Sequence, residues 1–107
     1  MKSDQPPILQ ITPLSLHQKL SDGEDIRLVD VREPWEHEIF NIGGQLIPFS
    51  EVMEKASGLE RNKPVVVYCK VGMRSQLAIQ RLQRLGFNNL INLQGGMEAW
   101  KQEIGDL

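Results

Sequence analysis

Val65-Val66-Val67-Tyr68-Cys69-Lys70-Val71-Gly72-Met73-Arg74-Ser75 joins a run of β-branched residues to a loop of small and cationic ones. Val65 to Cys69 reads as a strand, and its unbroken apolar character fits the middle of a parallel sheet covered on both faces. Beyond the loop, Leu77, Ala78, Leu82 and Leu85 recur at helical spacing, and Gly86 stands where a helix would stop. Strand, short loop and helix in that order predict an α/β fold.

Outward from this segment, short apolar runs predict further strands at Ile8 to Ile11, Ile26 to Val31, Gln45 to Pro48 and Leu90 to Leu93. Thr12-Pro13 offers an N-cap and a first-turn proline for a helix reaching about Leu20, and Asp22-Gly23 offers its stop. There is no repeat, low-complexity tract or linker, and a chain of 107 residues suits one domain over 1–107.

Composition narrows the function classes. Of the residues, 40% are hydrophobic and 24% charged, and no apolar run nears the roughly 20 residues of a membrane span. A net charge of -2 with both signs scattered leaves no basic surface for nucleic acid or anionic lipid, so any anion binding must be local. Met1 to Gln10 carry one Lys, one Asp and two prolines before a short apolar stretch, unlike a secretory signal, which predicts a cytoplasmic chain.

Cys69 is the sole cysteine, so no internal disulfide can form, and His17 and His37 stand too far apart in sequence to complete a zinc spacing with it. Neither metal nor cofactor is expected. The thiol is then either a buried apolar filler or a nucleophile. A loop between a buried strand and a helix would turn backbone N–H groups inward and add the partial positive charge of the helix start. A thiol of ordinary pKa about 8.5 falls to roughly 3.5–7.5 in such settings. Gly72 would let the chain turn tightly, Lys70 would add exposed positive charge, and Arg74 would offer a planar fork for an oxyanion. Each also has an ordinary reading: a turn glycine, a surface lysine, an arginine paired with a nearby carboxylate. The combination favours the nucleophile.

Taken together, Cys69 to Ser75 resembles the active-site loop of rhodanese-like domains. Asp30-Val31-Arg32-Glu33-Pro34-Trp35-Glu36 is similar to that family's Asp-Val-Arg segment, and Gln94-Gly95-Gly96-Met97-Glu98-Ala99-Trp100 to its C-terminal Gly-Gly and Ala-Trp segment. Ile42-Gly43-Gly44-Gln45-Leu46-Ile47-Pro48 looks like a variant of the stretch between them, with Phe40-Asn41 standing where Gly-His is common. The likeness spans nearly the whole chain.

The resemblance implies a five-stranded, mainly parallel sheet with helices on both faces and the active loop at the carboxyl end of its central strand. It implies a sulfurtransferase in which Cys69 takes sulfur from an anionic donor such as thiosulfate as a persulfide and passes it to a thiol or cyanide. Lys70 and Arg74 would hold the anion, the N–H groups from Lys70 through Val71, Gly72, Met73 and Arg74 to Ser75 would stabilise the persulfide, and Ser75 would add its hydroxyl. Its partners would be a small sulfur donor and a thiol acceptor, with a sulfur-relay protein as a further candidate. Asp30 and Arg32 are expected as scaffolding through charge-assisted hydrogen bonds. Trp35 and Trp100 are expected in the core or lining a groove, His17 and His37 on helices facing solvent, and Gly95-Gly96 in a tight loop before the last helix. Two alternatives are a protein-binding module without turnover and a Cys-based phosphatase or arsenate reductase. Against the last, only Lys70, Val71, Gly72 and Met73 separate Cys69 from Arg74, one residue fewer than the related phosphatases place there.

Overall fold

A computed structural model describes residues 5–105, so the first four residues of the N-terminal reading, and the last two of the chain, lie outside the described residues. Five strands, β1 (Leu9–Ile11), β2 (Arg27–Asp30), β3 (Gln45–Leu46), β4 (Val65–Tyr68) and β5 (Leu90–Leu93), form one sheet in the order β1-β5-β4-β2-β3. All four neighbouring pairs are parallel. The helices are α1 (Pro13–Ser21), α2 (Pro34–Ile39), α3 (Met73–Gln83) and α4 (Gly96–Glu103), with two 3-10 turns at Phe49–Glu51 and Ala56–Gly58.

Strand β4 is central and every residue in it is buried. Its pleat sends Val65, Val67 and Cys69 into one apolar layer with Ala78, Ile79 and Leu82 of α3, and Val66 and Tyr68 into the other with Leu16 of α1 and Met97 and Trp100 of α4. Each such valine contributes on the order of 1.5–3 kcal/mol by burial, so both layers hold β4, and the loop at its end, in place.

Four of the expected strands run one or two residues shorter in the sheet, and of Gln45 to Pro48 only Gln45 and Leu46 pair; strand ends fray once the ladder partner ends. The buried stripe of α3 is Ser75, Ala78, Ile79 and Leu82, whereas Leu77 and Leu85 are exposed, so the apolar spacing drawn through those two leucines is corrected by one residue. Pro34 opens α2, and Glu33 and Glu36 close a reciprocal capping box on it.

Phe40 and Asn41 build a turn of their own. Arg32 Nη2 donates to the Phe40 carbonyl at 2.6 Å. Asn41 Nδ2 donates to the His37 carbonyl, and Asn41 Oδ1 accepts the Gly43 N–H. Next to it, the Tyr68 ring lies so close to Gly44 that an added Cβ would sit 2.7 Å from the ring. Burial pushes the Tyr68 hydroxyl up to about 12, so it stays protonated while accepting the Gly44 N–H at 3.3 Å.

Candidate functional site

Cys69 follows the last residue of β4, with its side chain in the α3 layer and 1% exposed. The chain then turns through Gly72, whose φ of 97° is left-handed, and enters α3 at Met73. Glycine carries no Cβ to oppose that conformation. The turn aims the Gly72 N–H at Cys69 Sγ, 3.1 Å away. The first amides of α3, at Met73, Arg74 and Ser75, lack intrahelical acceptors because of where they stand in the helix.

The carbonyls of the same loop are held on the opposite side. Met97 N–H donates to the Cys69 carbonyl at 2.9 Å and Glu98 N–H to the Lys70 carbonyl at 3.0 Å, so the start of α4 caps the end of β4. Gly96 stands at φ 60°, where a Cβ would lie 2.5 Å from both carbonyl oxygens. Its role is therefore close approach to the loop, and not only the tight turn expected from sequence. With these carbonyls bound to α4, the loop is held in the shape that aims the Gly72 N–H at Sγ.

Ser75, fully buried, places Oγ 3.3 Å from Sγ and donates its hydrogen to Asn92 Oδ1. Asn92 is fixed in that sense, because its Nδ2 donates to Gln10 Oε1 at 2.9 Å and to the Gly72 carbonyl at 3.4 Å. Thus Ser75 presents a lone pair to the thiol, and its hydrogen must turn from Asn92 to reach a thiolate.

Arg74 is the bidentate partner of Glu36: Nη1 donates to Oε1 at 2.8 Å and Nη2 to Oε2 at 3.0 Å. The hydrogen bonds from Arg74 hold the Glu36 carboxyl down at about 2 against its partial burial, and the same pair raises Arg74, whose charge also senses that of Cys69. The nearby carboxylate considered for Arg74 is thus present. Lys70, 3.9 Å from Glu98, is exposed, as are the side chains of Val71 and Met73.

Asp30 and Arg32 lie at the end of β2, the strand beside β4. Arg32 donates from Nε, Nη2 and its backbone N–H to the fully buried Asp30 carboxylate. Burial pushes that carboxyl up, but the bonds from Arg32 and His37 outweigh it and leave it below the usual range. His37 departs from its expected solvent-facing place: half-buried on α2, it donates from Nδ1 to Asp30 Oδ2 at 2.8 Å. A carboxylate can only accept, which fixes the hydrogen on that nitrogen. His17 is exposed and meets the edge of the buried Trp100, with ring centroids 5.8 Å apart. Trp35 is exposed beside a groove of about 380 Å³ between α2 and α4, which Lys70 also lines.

Sequence reasoning missed Glu36, Asn92 and Gln10 as members of the site. Asn92 had a signal, since it is a polar residue inside the apolar run Leu90-Ile91-Asn92-Leu93. Glu36 had half of one: the Glu33-Pro34 start places it three residues into a helix, but nothing local says which arginine it meets.

The sequence pattern of the rhodanese-like domain matches residues 12–103. A sulfurtransferase of Allochromatium vinosum is 37% identical over 92 residues, which cover 85% of this chain and 86% of that protein. The probable adenylyltransferase/sulfurtransferase MoeZ of Mycobacterium tuberculosis is 39% identical over 97 residues, and the chain spans about a quarter of its length. Among solved structures, a rhodanese-related protein of Thermoplasma volcanium superposes with a TM-score of 0.81 at 34% identity, over 90% of this chain and 93% of that one. Among the described residues, no helix is long and apolar enough to cross a membrane.

Proposed function

The chain belongs to the rhodanese-like domain family, and from that membership we propose that it is a sulfurtransferase working through a persulfide on Cys69. The observation that carries this reading is the position of Sγ, buried at the end of β4 with the Gly72 N–H aimed at it and the first turn of α3 beyond. The Cys69 thiolate attacks the outer sulfur of a donor. A new S–S bond forms on Sγ, the donor's own S–S bond breaks, and its electron pair leaves on sulfite or on a donor thiolate. An acceptor thiolate then attacks the outer sulfur and Cys69 departs as thiolate, so no external oxidant or reductant is consumed.

Each loop residue has a part. The Gly72 N–H is aimed at Sγ, the remaining N–H groups from Lys70 to Ser75 would receive the transferring sulfur, Ser75 turns its hydrogen to whichever sulfur state carries charge, and Lys70 draws anions from solvent. Arg74 brings positive charge to the surroundings of Cys69, and Glu36 engages its Nη1 and Nη2 with one hydrogen bond each, which offsets that charge. The four-residue spacing between Cys69 and Arg74 supports sulfur transfer over the phosphatase reading. Homologues named as sulfur carrier or as adenylyltransferase/sulfurtransferase support a sulfur-relay protein as donor or acceptor.

Intact mass spectrometry tests the reading. Wild type incubated with thiosulfate, or with the persulfide of 2-mercaptoethanol, should gain one sulfur atom at Cys69, and Cys69→Ser should gain none. A wild-type protein that takes sulfur from neither donor overturns the proposal in favour of a binding module.

A further inference from the structure

The Arg74–Glu36 pair bears on which donor the site prefers. Glu36 is a buried residue whose Oε1 also accepts the Glu33 N–H at 2.9 Å, so α2 holds it in position whether or not a ligand is bound. With its carboxyl at about 2 it is an anion at any working pH. Near the loop the charge of Arg74 is thus offset by that of Glu36, with Glu33 adding a further negative charge near Arg74, while Lys70 stands exposed 3.9 Å from Glu98 on α4. Beside the loop, the groove between α2 and α4 has an apolar lining of Trp35, Ile39, Phe40 and Met97. Two further cations line it: Arg32, paired with Asp30, and Lys101, whose Nζ lies over the Phe40 ring 4.9 Å from the centroid.

Building on the persulfide chemistry above, we propose that Glu36 is a specificity-determining residue that turns the site away from dianionic donors such as thiosulfate and toward small organic persulfides. Thiosulfate brings two negative charges and no carbon body to a site where the fixed Glu36 carboxylate already holds the Nη1–Nη2 edge of Arg74. An organic persulfide brings at most one charge, on the sulfur to be transferred, and a carbon body that the apolar groove covers. The reaction balances for either donor: Cys69 thiolate plus R–S–S⁻ gives the Cys69 persulfide and R–S⁻, as thiosulfate would give the persulfide and sulfite. Only the charge that must be brought in differs. One added unit charge across several ångströms of partly solvated protein amounts to about tenfold in rate.

The test compares kcat/KM for thiosulfate with kcat/KM for the persulfide of 2-mercaptoethanol, in wild type and in Glu36→Gln. Gln keeps an oxygen for the Glu33 N–H and removes the charge. The thiosulfate-to-persulfide ratio should rise about tenfold in the variant, mainly through KM for thiosulfate, and a ratio that stays within twofold overturns the proposal. If circular dichroism shows the variant unfolded, wild type alone decides by its response to salt. Screening the repulsion between the Glu36 carboxylate and a dianion should raise the thiosulfate rate more steeply than the persulfide rate, and parallel responses overturn the inference. Failure of both donors to load Cys69 would instead overturn the sulfurtransferase reading itself.

Discussion

Two adjacent strands of the sheet end side by side, each with an ionisable side chain followed by an arginine, and the two ends do opposite things. At the end of β2, Asp30 is enclosed: Arg32 donates to it from side chain and backbone, His37 donates to it as well, and its oxygens see no solvent. At the end of β4, Cys69 receives one backbone N–H and faces a hydroxyl whose hydrogen is held by Asn92. Its nearest arginine is spent on Glu36. A closed set of hydrogen bonds fixes a charge and makes scaffold; an open one leaves a sulfur able to change partners.

The largest expected effect breaks the closed end. Asp30→Asn leaves the Arg32 charge buried without its counterion and should destabilise the protein by about 3–5 kcal/mol in urea unfolding. The Cys69 alkylation rate of the folded fraction should stay within about threefold of wild type, since the two ends are joined by a backbone bond from Val31 N–H to the Tyr68 carbonyl and not through the Asp30 or Cys69 side chains. A large loss of thiol reactivity at unchanged stability would reverse the assignment of roles.

Acid should find the Glu36–Arg74 pair next. The folded carboxyl titrates at about 2 against an ordinary 4.5, so its stabilisation is complete above about pH 4.5 and is lost as pH falls toward 2. Urea unfolding of wild type across that window should lose about 1–3 kcal/mol that Glu36→Gln does not lose. Equal slopes for both proteins would mean that the pair contributes nothing to stability.

Ser75→Ala sharpens the open end. It strands the buried Asn92 Oδ1 and should destabilise by about 1–2 kcal/mol, while slowing sulfur loading of Cys69 by about tenfold, read by stopped-flow release of sulfite. Loading at the wild-type rate would remove the hydroxyl from the chemistry. The smallest effect belongs to Lys70→Ala: stability within about 0.5 kcal/mol and a two- to threefold slower reaction with thiosulfate at low salt, vanishing at high salt. A salt-independent loss would mean that Lys70 acts by direct contact.

Much of this was readable along the chain because the signals are local. The unbroken Val65 to Tyr68 run declared a buried central strand, Thr12-Pro13 declared the start of α1, and Thr12 Oγ1 does accept the Ser15 N–H. Asp30 and Arg32, two residues apart, pair with each other. What was not legible depends on contacts between distant segments. Glu36 meets Arg74 across 38 positions, Asn92 meets Gln10 across 82, and His37 turns inward because α2 is short and sits over the end of β2. Leu77 and Leu85 misled because helical spacing alone admits more than one apolar face, and packing on the sheet chose the neighbouring one.

By itself, the sequence determined the α/β class, the central strand and the single thiol at its end, since hydrophobic period, turn residues and residue count are properties of the chain. Only the tertiary structure decided the electrostatic character of the site. Whether Arg74 stands free or neutralised, and whether the hydroxyl of Ser75 offers a hydrogen or a lone pair, is set by charges and amides that folding brings within about 3 Å, a range at which Coulomb and hydrogen-bond energies outweigh anything the local sequence encodes.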